Sequence, residues 1–352
     1  MVAILIENSY ARSLWCEKMH LALVERLRAK RIAFCEIYDT CSHNIKTVFI
    51  IGSNQAWLSS TIKQFNKNNV VPIVLCNQLD AMPGCVYNCV CSDITASMNT
   101  LLNLLKSKNK KKVAIYGVNP SSLSDISRAD TLMVSKDESI EKMTLFLNEG
   151  SLTECFDEFY SVANEYDCVI CANDFAAISL IKRLKLENGD LLKNLLILSC
   201  TSSKLLDCYR EHIISLDVNY KSYGKAAVYI YEALQKHKFL SGLTVKVEWD
   251  LSSSYPPPSG EKITLNQNTV DDCFYNDPEL VDMLIVDRLY TFSDDLDKKI
   301  LDSLINGLSI EEISQECFLS VNAIKYRIKN LVENSGAKDK SQIINLLKEY
   351  RN

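Results

Sequence analysis

Lys325, Arg327 and Lys329 stand at alternate positions in "GLSIEEISQECFLSVNAIKYRIKNL" (307–331), within a chain whose net charge is −5. Cations gathered on one short stretch suit phosphate binding, since each phosphate they neutralise releases condensed counterions. The other chemistry-bearing residues are fourteen cysteines and four histidines. Cys168 and Cys171 fall in the apolar run "YDCVICAND", which reads as a buried strand. Residues three apart on a strand point to opposite faces, so this pair does not share a metal. Cys85, Cys89 and Cys91 are closer to a ligand pattern but have no fourth cysteine or histidine at zinc spacing. The cysteines therefore read as small buried apolar groups, and no cofactor is expected. His20, His43, His212 and His237 accompany no nucleophile motif, and no glycine-rich phosphate loop occurs, which argues against an enzyme. The basic run "KSKNKKK" (106–112) closes a helical stretch before a strand and reads as a solvated loop.

The elements that position these groups follow from length and patterning. A chain of 352 residues, 47% hydrophobic and 24% charged, is expected to form two or three globular domains. No apolar run approaches the roughly 18 residues that span a bilayer. "VAILI" is short and lacks the flanks of a secretory signal, so a cytoplasmic protein is expected. To about residue 250, short apolar runs alternate with amphipathic stretches. "VAILI", "TVFIIG", "VVPIVLCN", "KKVAIYG", "YDCVICAND", "LLILSC" and "IISLDV" are the runs; 12–30, 56–66 and 93–107 are among the helical stretches. Roughly eight strands in this order predict parallel sheets with helices on both faces, in two halves. "LSSSYPPPSG" (251–260) interrupts the pattern. Asp277 then caps a connecting helix with Pro278 at its first position, carrying Leu280, Met283, Leu284 and Leu289.

Beyond it the pattern is helical. Ser293 is the expected cap of a helix with Ile300, Leu301, Leu304 and Ile305 as its stripe, and Gly307 ends it. Ser309 caps a short second helix, and Ser320 caps a third with an apolar stripe of Val321, Ile324, Ile328, Leu331 and Val332. Asn322, Tyr326 and Lys329 point away from that stripe, with Lys325 and Arg327 beside it. "SQIINLLKEY" supplies a fourth helix. Residues 292–317 carry seven acidic and two basic side chains, whereas 318–348 carry six basic and two acidic. A solvated amphipathic helix does not account for a polarity that reverses at the turn. A helix-turn-helix presenting its third helix to DNA does.

Residues 293–346 resemble the LuxR/FixJ-type helix-turn-helix on "GLSIEEIS", "FLS", "AIK" and "GA". The resemblance implies that the third helix enters the major groove of double-stranded DNA, with Lys325, Tyr326 and Lys329 facing bases. Ser320 and Asn322 lie at that helix's start, and Arg327, Lys338 and Lys340 would serve phosphates. Asn322-Ala323 replaces the usual Gly-Thr, and Arg327 a common His.

Residues 2–265 resemble the type I periplasmic-binding-protein fold of LacI/GalR-type effector domains. The landmarks are "VAILIENSYA", "VVPIVLCN", "CSDITASMNTLLNLLKSKNKKKVAIYG", "ISRADTL", "YDCVICANDFAAISLIKRL" and "IISLDVNYKSYGKAAVYIYEAL". The resemblance implies a small polar, sugar-like effector held by Ser9, Tyr10, Asn77, Arg128 and Asn173, with Asp217 at the last crossover. Tyr10 and Trp57 suit stacking on a flat ligand or packing in the fold. Arg128 fits a carboxylate or sugar clamp, or an ion pair; Asn173 and Asp174 fit a ligand, or the cap of the next helix. Ser199-Cys200-Thr201-Ser202 stands where sugar-binding relatives carry a carboxylate.

The expected architecture is thus a two-lobed α/β domain (1–265), a linker and connecting helix (266–291) and a four-helix DNA-binding domain (292–352). The expected function is a ligand-responsive, homodimeric transcriptional regulator that binds DNA and engages RNA polymerase, with no membrane partner. The alternative is a regulator whose first domain is a dimerisation or protein-interaction module without a ligand.

Overall fold

The computed structural model describes residues 1–11, 13–40, 45–136, 138–251 and 277–351. His43, most of the proline-rich stretch and the boundary expected at 265/266 lie outside them. In chain order come β1 (Val2–Ile6), α1 (Leu14–Ala29), β2 (Phe34–Ile37), β3 (Thr47–Ile51), α2 (Gln55–Lys67), β4 (Val71–Leu75), β5 (Asn88–Ser92) and α3 (Ile94–Ser107). Then follow β6 (Lys112–Val118), α4 (Leu123–Ser135), β7 (Lys142–Leu147), α5 (Leu152–Tyr160), β8 (Cys168–Cys171), α6 (Asp174–Glu187), α7 (Gly189–Asn194), β9 (Leu196–Ser199) and β10 (Ile213–Asp217). The remainder is α8 (Tyr220–Lys236), β11 (Thr244–Val247), β12 (Asp250–Leu251), α9 (Pro278–Phe292), α10 (Asp295–Ile305), α11 (Ile310–Glu316), α12 (Val321–Ser335) and α13 (Lys340–Tyr350). These elements divide into two compact units. One takes residues 1–108, 122–136 and 216–251, the other 109–121, 138–215 and 277–351.

The first unit is built on a six-stranded sheet, order β11-β5-β4-β3-β1-β2, with every neighbouring pair parallel. Met19, Leu23 and Leu27 of α1 and Ala227, Val228 and Ile230 of α8 bury one face; Leu58, Ile62 and Phe65 of α2 help bury the other. Gly224 brings α8 onto α1, because a β-carbon there would sit 2.3 Å from the Ala22 carbonyl oxygen. The strands outnumber the apolar runs, and β5 shows why. "NCVCS" is buried throughout yet opens with Asn88 and ends with Ser92. Asn88 accepts the Leu243 N–H (3.0 Å) and donates to the Pro72 carbonyl (3.3 Å), so a polar residue is satisfied inside a sheet.

The second unit is built on parallel strands in the order β10-β9-β8-β6-β7. Leu216 and Asp217, at the end of β10, pair antiparallel with β12 and are grouped with it in the first unit. The four C-terminal helices belong to this unit. Leu280, Met283, Val286 and Leu289 of α9 are buried in one core with Leu180, Leu184 and Leu205. Leu331 of α12 and Ile343, Leu346, Leu347 and Tyr350 of α13 join the same core. Thus α9, expected as a connecting helix, is a core helix. Asp277 caps it through the Glu279 N–H (3.0 Å) and also accepts the Leu152 N–H at the start of α5 (3.1 Å). Asp287, fully buried, accepts the Leu205 N–H at 2.8 Å. The cap of α10 is Asp294, one residue later than expected. It forms a reciprocal capping box with Asp297, while the Ser293 hydroxyl turns back to the Leu289 carbonyl.

Candidate nucleic-acid interface and the sheet-end cluster

The third helix of the C-terminal set, α12, begins at Ser320, whose hydroxyl accepts the Ala323 N–H (3.2 Å), and ends at Gly336 in the left-handed conformation (φ 81°). Its stripe of Ile324 and Ile328 packs with Ile300, Leu304 and Ile313 in a small core of its own. Burial of that stripe turns Asn322, Lys325, Tyr326 and Lys329 outward, and all four are exposed. Tyr326 is 62% exposed. Among the described residues Lys329 pairs with Glu333, one turn on and 3.6 Å away, an exposed pair that contributes little. Lys338 and Lys340 are exposed at the start of α13.

Arg327 differs from these lysines. Its guanidinium binds Asp297 (2.7 Å) and Asp294 (2.9 Å), the two residues of the α10 capping box. Hydrogen bonds to Asp297 and then Asp294 raise its pKa further. It is tied into the domain by two carboxylates. The acidic first half of this region thus in part serves to hold its basic second half.

In the first unit, polar residues collect where the parallel strands end, the position at which open α/β sheets bind ligands. Glu7, directly after β1, is buried and accepts the backbone N–H groups of Ser53 (2.8 Å) and Asn54 (3.0 Å) after β3, and the Ser9 hydroxyl (3.0 Å). Gly52 makes room for it, since a β-carbon there would lie 2.9 Å from its carboxylate oxygen. Asn54 in turn caps α2 by accepting the Trp57 N–H (2.9 Å). The Tyr10 ring lies 5.8 Å from that of Trp15. Asn77 follows β4, and its carbonyl accepts the Ser92 N–H (3.0 Å). Its side-chain Oδ1 is buried with no hydrogen-bond partner among the described residues. Ser9, Trp57 and Asn77 are therefore placed at the ends of three adjacent strands.

Arg128 is buried on α4, 4% exposed, paired with Asp125 one turn back and 5.6 Å from the Trp249 ring. Trp249 donates its backbone N–H to Ser97 (3.2 Å), and the Tyr223 hydroxyl lies 2.6 Å from that of Ser92. Burial pushes the Tyr223 hydroxyl up, so it stays protonated. Asp217 ends β10 and pairs with Asp250 across the antiparallel strand. Asn173 lies in the second unit and caps α6 through the Ala176 N–H (2.9 Å). Asp174 accepts the Thr201 hydroxyl (2.7 Å).

Glu7, Asp125 and Trp249 were missed from sequence. An acidic residue closing an apolar strand and an Asp–Arg pair at i, i+3 were the legible signals for the first two. Trp249 had none. Among the described residues no group of three or more His, Cys, Asp or Glu is arranged to hold a metal ion. Cys76 and Cys89 meet at 3.9 Å in the core, and hydrogen bonding to Cys76 foremost, with burial, pushes the Cys89 thiol well up. No described helix is long and apolar enough to cross a membrane.

The profile of the winged helix-turn-helix DNA-binding family matches residues 293–334. No curated protein sequence matches the chain. Among solved structures it is similar to the Lac repressor bound to ONPG in its repressed state, at 13% identity and a TM-score of 0.57, covering 72% of this chain and 80% of that one. It is likewise similar to a LacI family transcriptional regulator from Weissella paramesenteroides with bound sucrose (14%, 0.56, 72% and 97%). The trehalose repressor from Escherichia coli is a third (15%, 0.54, 71% and 99%). At these identities the likeness is one of fold. The first part of the chain has the LacI/GalR-like, type I periplasmic-binding-protein architecture of two parallel-sheet α/β lobes, and a helical helix-turn-helix follows it.

Proposed function

We propose that the protein is a ligand-responsive transcriptional regulator that reads double-stranded DNA with α12. The observation that carries this reading is the outward face of α12. Asn322, Lys325, Tyr326 and Lys329 are exposed together on a helix whose opposite face is buried, within the segment matched by a DNA-binding family. Base edges are read by Lys325, Tyr326 and Lys329, and phosphates are met by Lys338 and Lys340. Ser320 acts as the cap that starts the reading helix. The ion pairs of Arg327 make it a positioning residue for α12. The LuxR/FixJ type of helix-turn-helix is supported by the fourth helix, α13, which follows Gly336 directly. A homodimer fits the few base pairs that one reading helix covers. Engagement of RNA polymerase, a cytoplasmic location and the absence of catalysis belong to the same reading.

The effector is a small polar molecule, as the bound sucrose of the Weissella regulator suggests. Asn77 Oδ1 is a buried acceptor that a ligand hydroxyl would satisfy, with Ser9, Tyr10, Trp57 and Asp217 as further contacts in the same unit. Fluorescence anisotropy of the full-length protein with genomic DNA fragments tests the DNA half. Binding that weakens steeply with salt is expected. Salt-insensitive binding, or none at micromolar protein, would remove it. A thermal-shift screen of sugars, amino acids and nucleosides tests the effector half, because a ligand of the native state raises the melting temperature.

A second reading, a first domain acting as a dimerisation or protein-interaction module, is favoured by one observation. Ser9, Arg128 and Asn173 already have partners within the chain. A screen without any stabilising ligand, together with a stable dimer, would select it.

A further inference from the structure

The C-terminal domain contains two helix ends of the same construction. After α10, the N–H of Gly307 bonds to Leu304 (3.1 Å) and that of Leu308 to Ser303 (3.1 Å), with Gly307 left-handed at φ 83°. After α11, the N–H of Phe318 bonds to Gln315 (3.3 Å) and that of Leu319 to Ser314 (3.0 Å), with Phe318 left-handed at φ 53°. This closing motif favours glycine, because a β-carbon is crowded in the left-handed region. Glycine occupies the first site and phenylalanine the second. Phe318 also leaves its ring in water, 94% exposed. It is unfavourable in backbone and in solvation.

Its surroundings indicate what covers it. Phe318 lies two residues before Ser320, the cap of the reading helix, at the end of α12 that carries Asn322, Lys325 and Tyr326. The neighbouring Glu316 is turned inward to the Ser303 hydroxyl (3.0 Å). A single exposed ring a few residues before Asn322 and Lys325 is a poor protein-docking patch, which needs contiguous apolar area. It suits a nucleic-acid groove, where the apolar feature a side chain can read is the C5-methyl of thymine.

We propose that Phe318 is a specificity-determining residue that packs against a thymine methyl group at the base step facing the turn. The inference rests on the DNA-reading assignment of α12 and adds a base preference to it. The turn thus contributes an apolar contact, and the exposed face of α12 the polar ones.

The test uses the full chain and an operator selected by it from random duplexes. Each thymine is replaced in turn by uracil, which removes only the methyl. The wild type is expected to lose about fourfold in affinity at one or two positions, the equivalent of one buried methylene. F318G is expected to bind the thymine operator that much more weakly and to show no further loss with uracil. Its salt dependence should be unchanged, and its melting temperature should rise, since glycine relieves the backbone. F318A, which keeps the β-carbon, should show the same loss of methyl discrimination without the rise. Equal wild-type affinity for both operators would overturn the proposal, as would a selected operator with no thymine facing the turn. F318G binding DNA as the wild type does would assign the ring to a protein partner instead. A wild type with no salt-sensitive binding to any duplex would remove the DNA-reading assignment itself, and the present inference with it.

Discussion

Arg128 and Lys329 are both cations expected to meet a ligand, yet the fold treats them in opposite ways. Arg128 lies buried between Asp125 and the Trp249 ring, whereas Lys329 stands in solvent with one weak partner. The same contrast runs through their surroundings. At the sheet ends Glu7 is held by two backbone N–H groups and Ser9, while on the outward face of α12 the side chains are exposed. The difference follows the partner each region is proposed to take. A polyanion brings its own dense charge, so exposed lysines suffice and little preorganisation is needed. A small polar ligand must be recognised by groups already fixed in place, and fixing them requires internal partners.

The largest effect that would break this comparison is on stability. Arg128→Ala should destabilise the unliganded protein by about 3–5 kcal/mol, the cost of stranding one member of a buried ion pair. Denaturant unfolding measures it. A variant as stable as the wild type would place Arg128 with the free cations. Next comes the attachment of the reader to its lobe. Leu347→Ala should cost about 2–5 kcal/mol and shift the melting of the whole second unit, because Leu347 shares its core with α6 and α9. If only the C-terminal helices loosen, as judged by hydrogen exchange, the shared core is wrong.

Two smaller effects sharpen the contrast. Lys329→Ala should weaken operator binding by about 1–3 kcal/mol with the melting temperature unchanged. Arg327→Ala should instead lower stability by no more than about 1 kcal/mol, as partly exposed pairs do, and leave the salt slope of DNA binding nearly intact. The smallest effect is acid lability. Burial raises the Asp294 pKa, but the Asp297 backbone and Arg327 outweigh it and hold the carboxyl below its ordinary value. A depressed carboxyl contributes stability above its unfolded pKa and loses it as the pH falls through the folded one. Helicity at α10 should therefore fray on acidification below about pH 4. Asp294→Asn should remove that pH dependence.

Locally encoded features of this protein were legible in its sequence. Helix spacing separates Ile324 and Ile328 from Asn322, Lys325 and Lys329, because a face is set by residues three and four apart. The Ser309 and Ser320 caps are likewise contacts across three residues. Repeated strand and helix runs sufficed for two parallel α/β lobes. Polar strands such as β5 escaped, since the partners that satisfy Asn88 come from Pro72 and Leu243.

Tertiary structure decided what each face meets. The apolar stripes of α9 and α13 signal burial, but their periodicity is the same whether a second subunit or the chain's own lobe covers them. Here the lobe does, through Leu180, Leu184 and Leu205. Arg327 looked like one more phosphate ligand until α10 placed Asp294 and Asp297 beside it, 33 and 30 residues away in the chain. Arg128 found Trp249 in the same way, from a distant part of the chain. A charge pattern records how many cations a segment carries. Which of them remain free depends on the carboxylates and rings that folding brings within a few ångströms, and only the packed chain sets those distances.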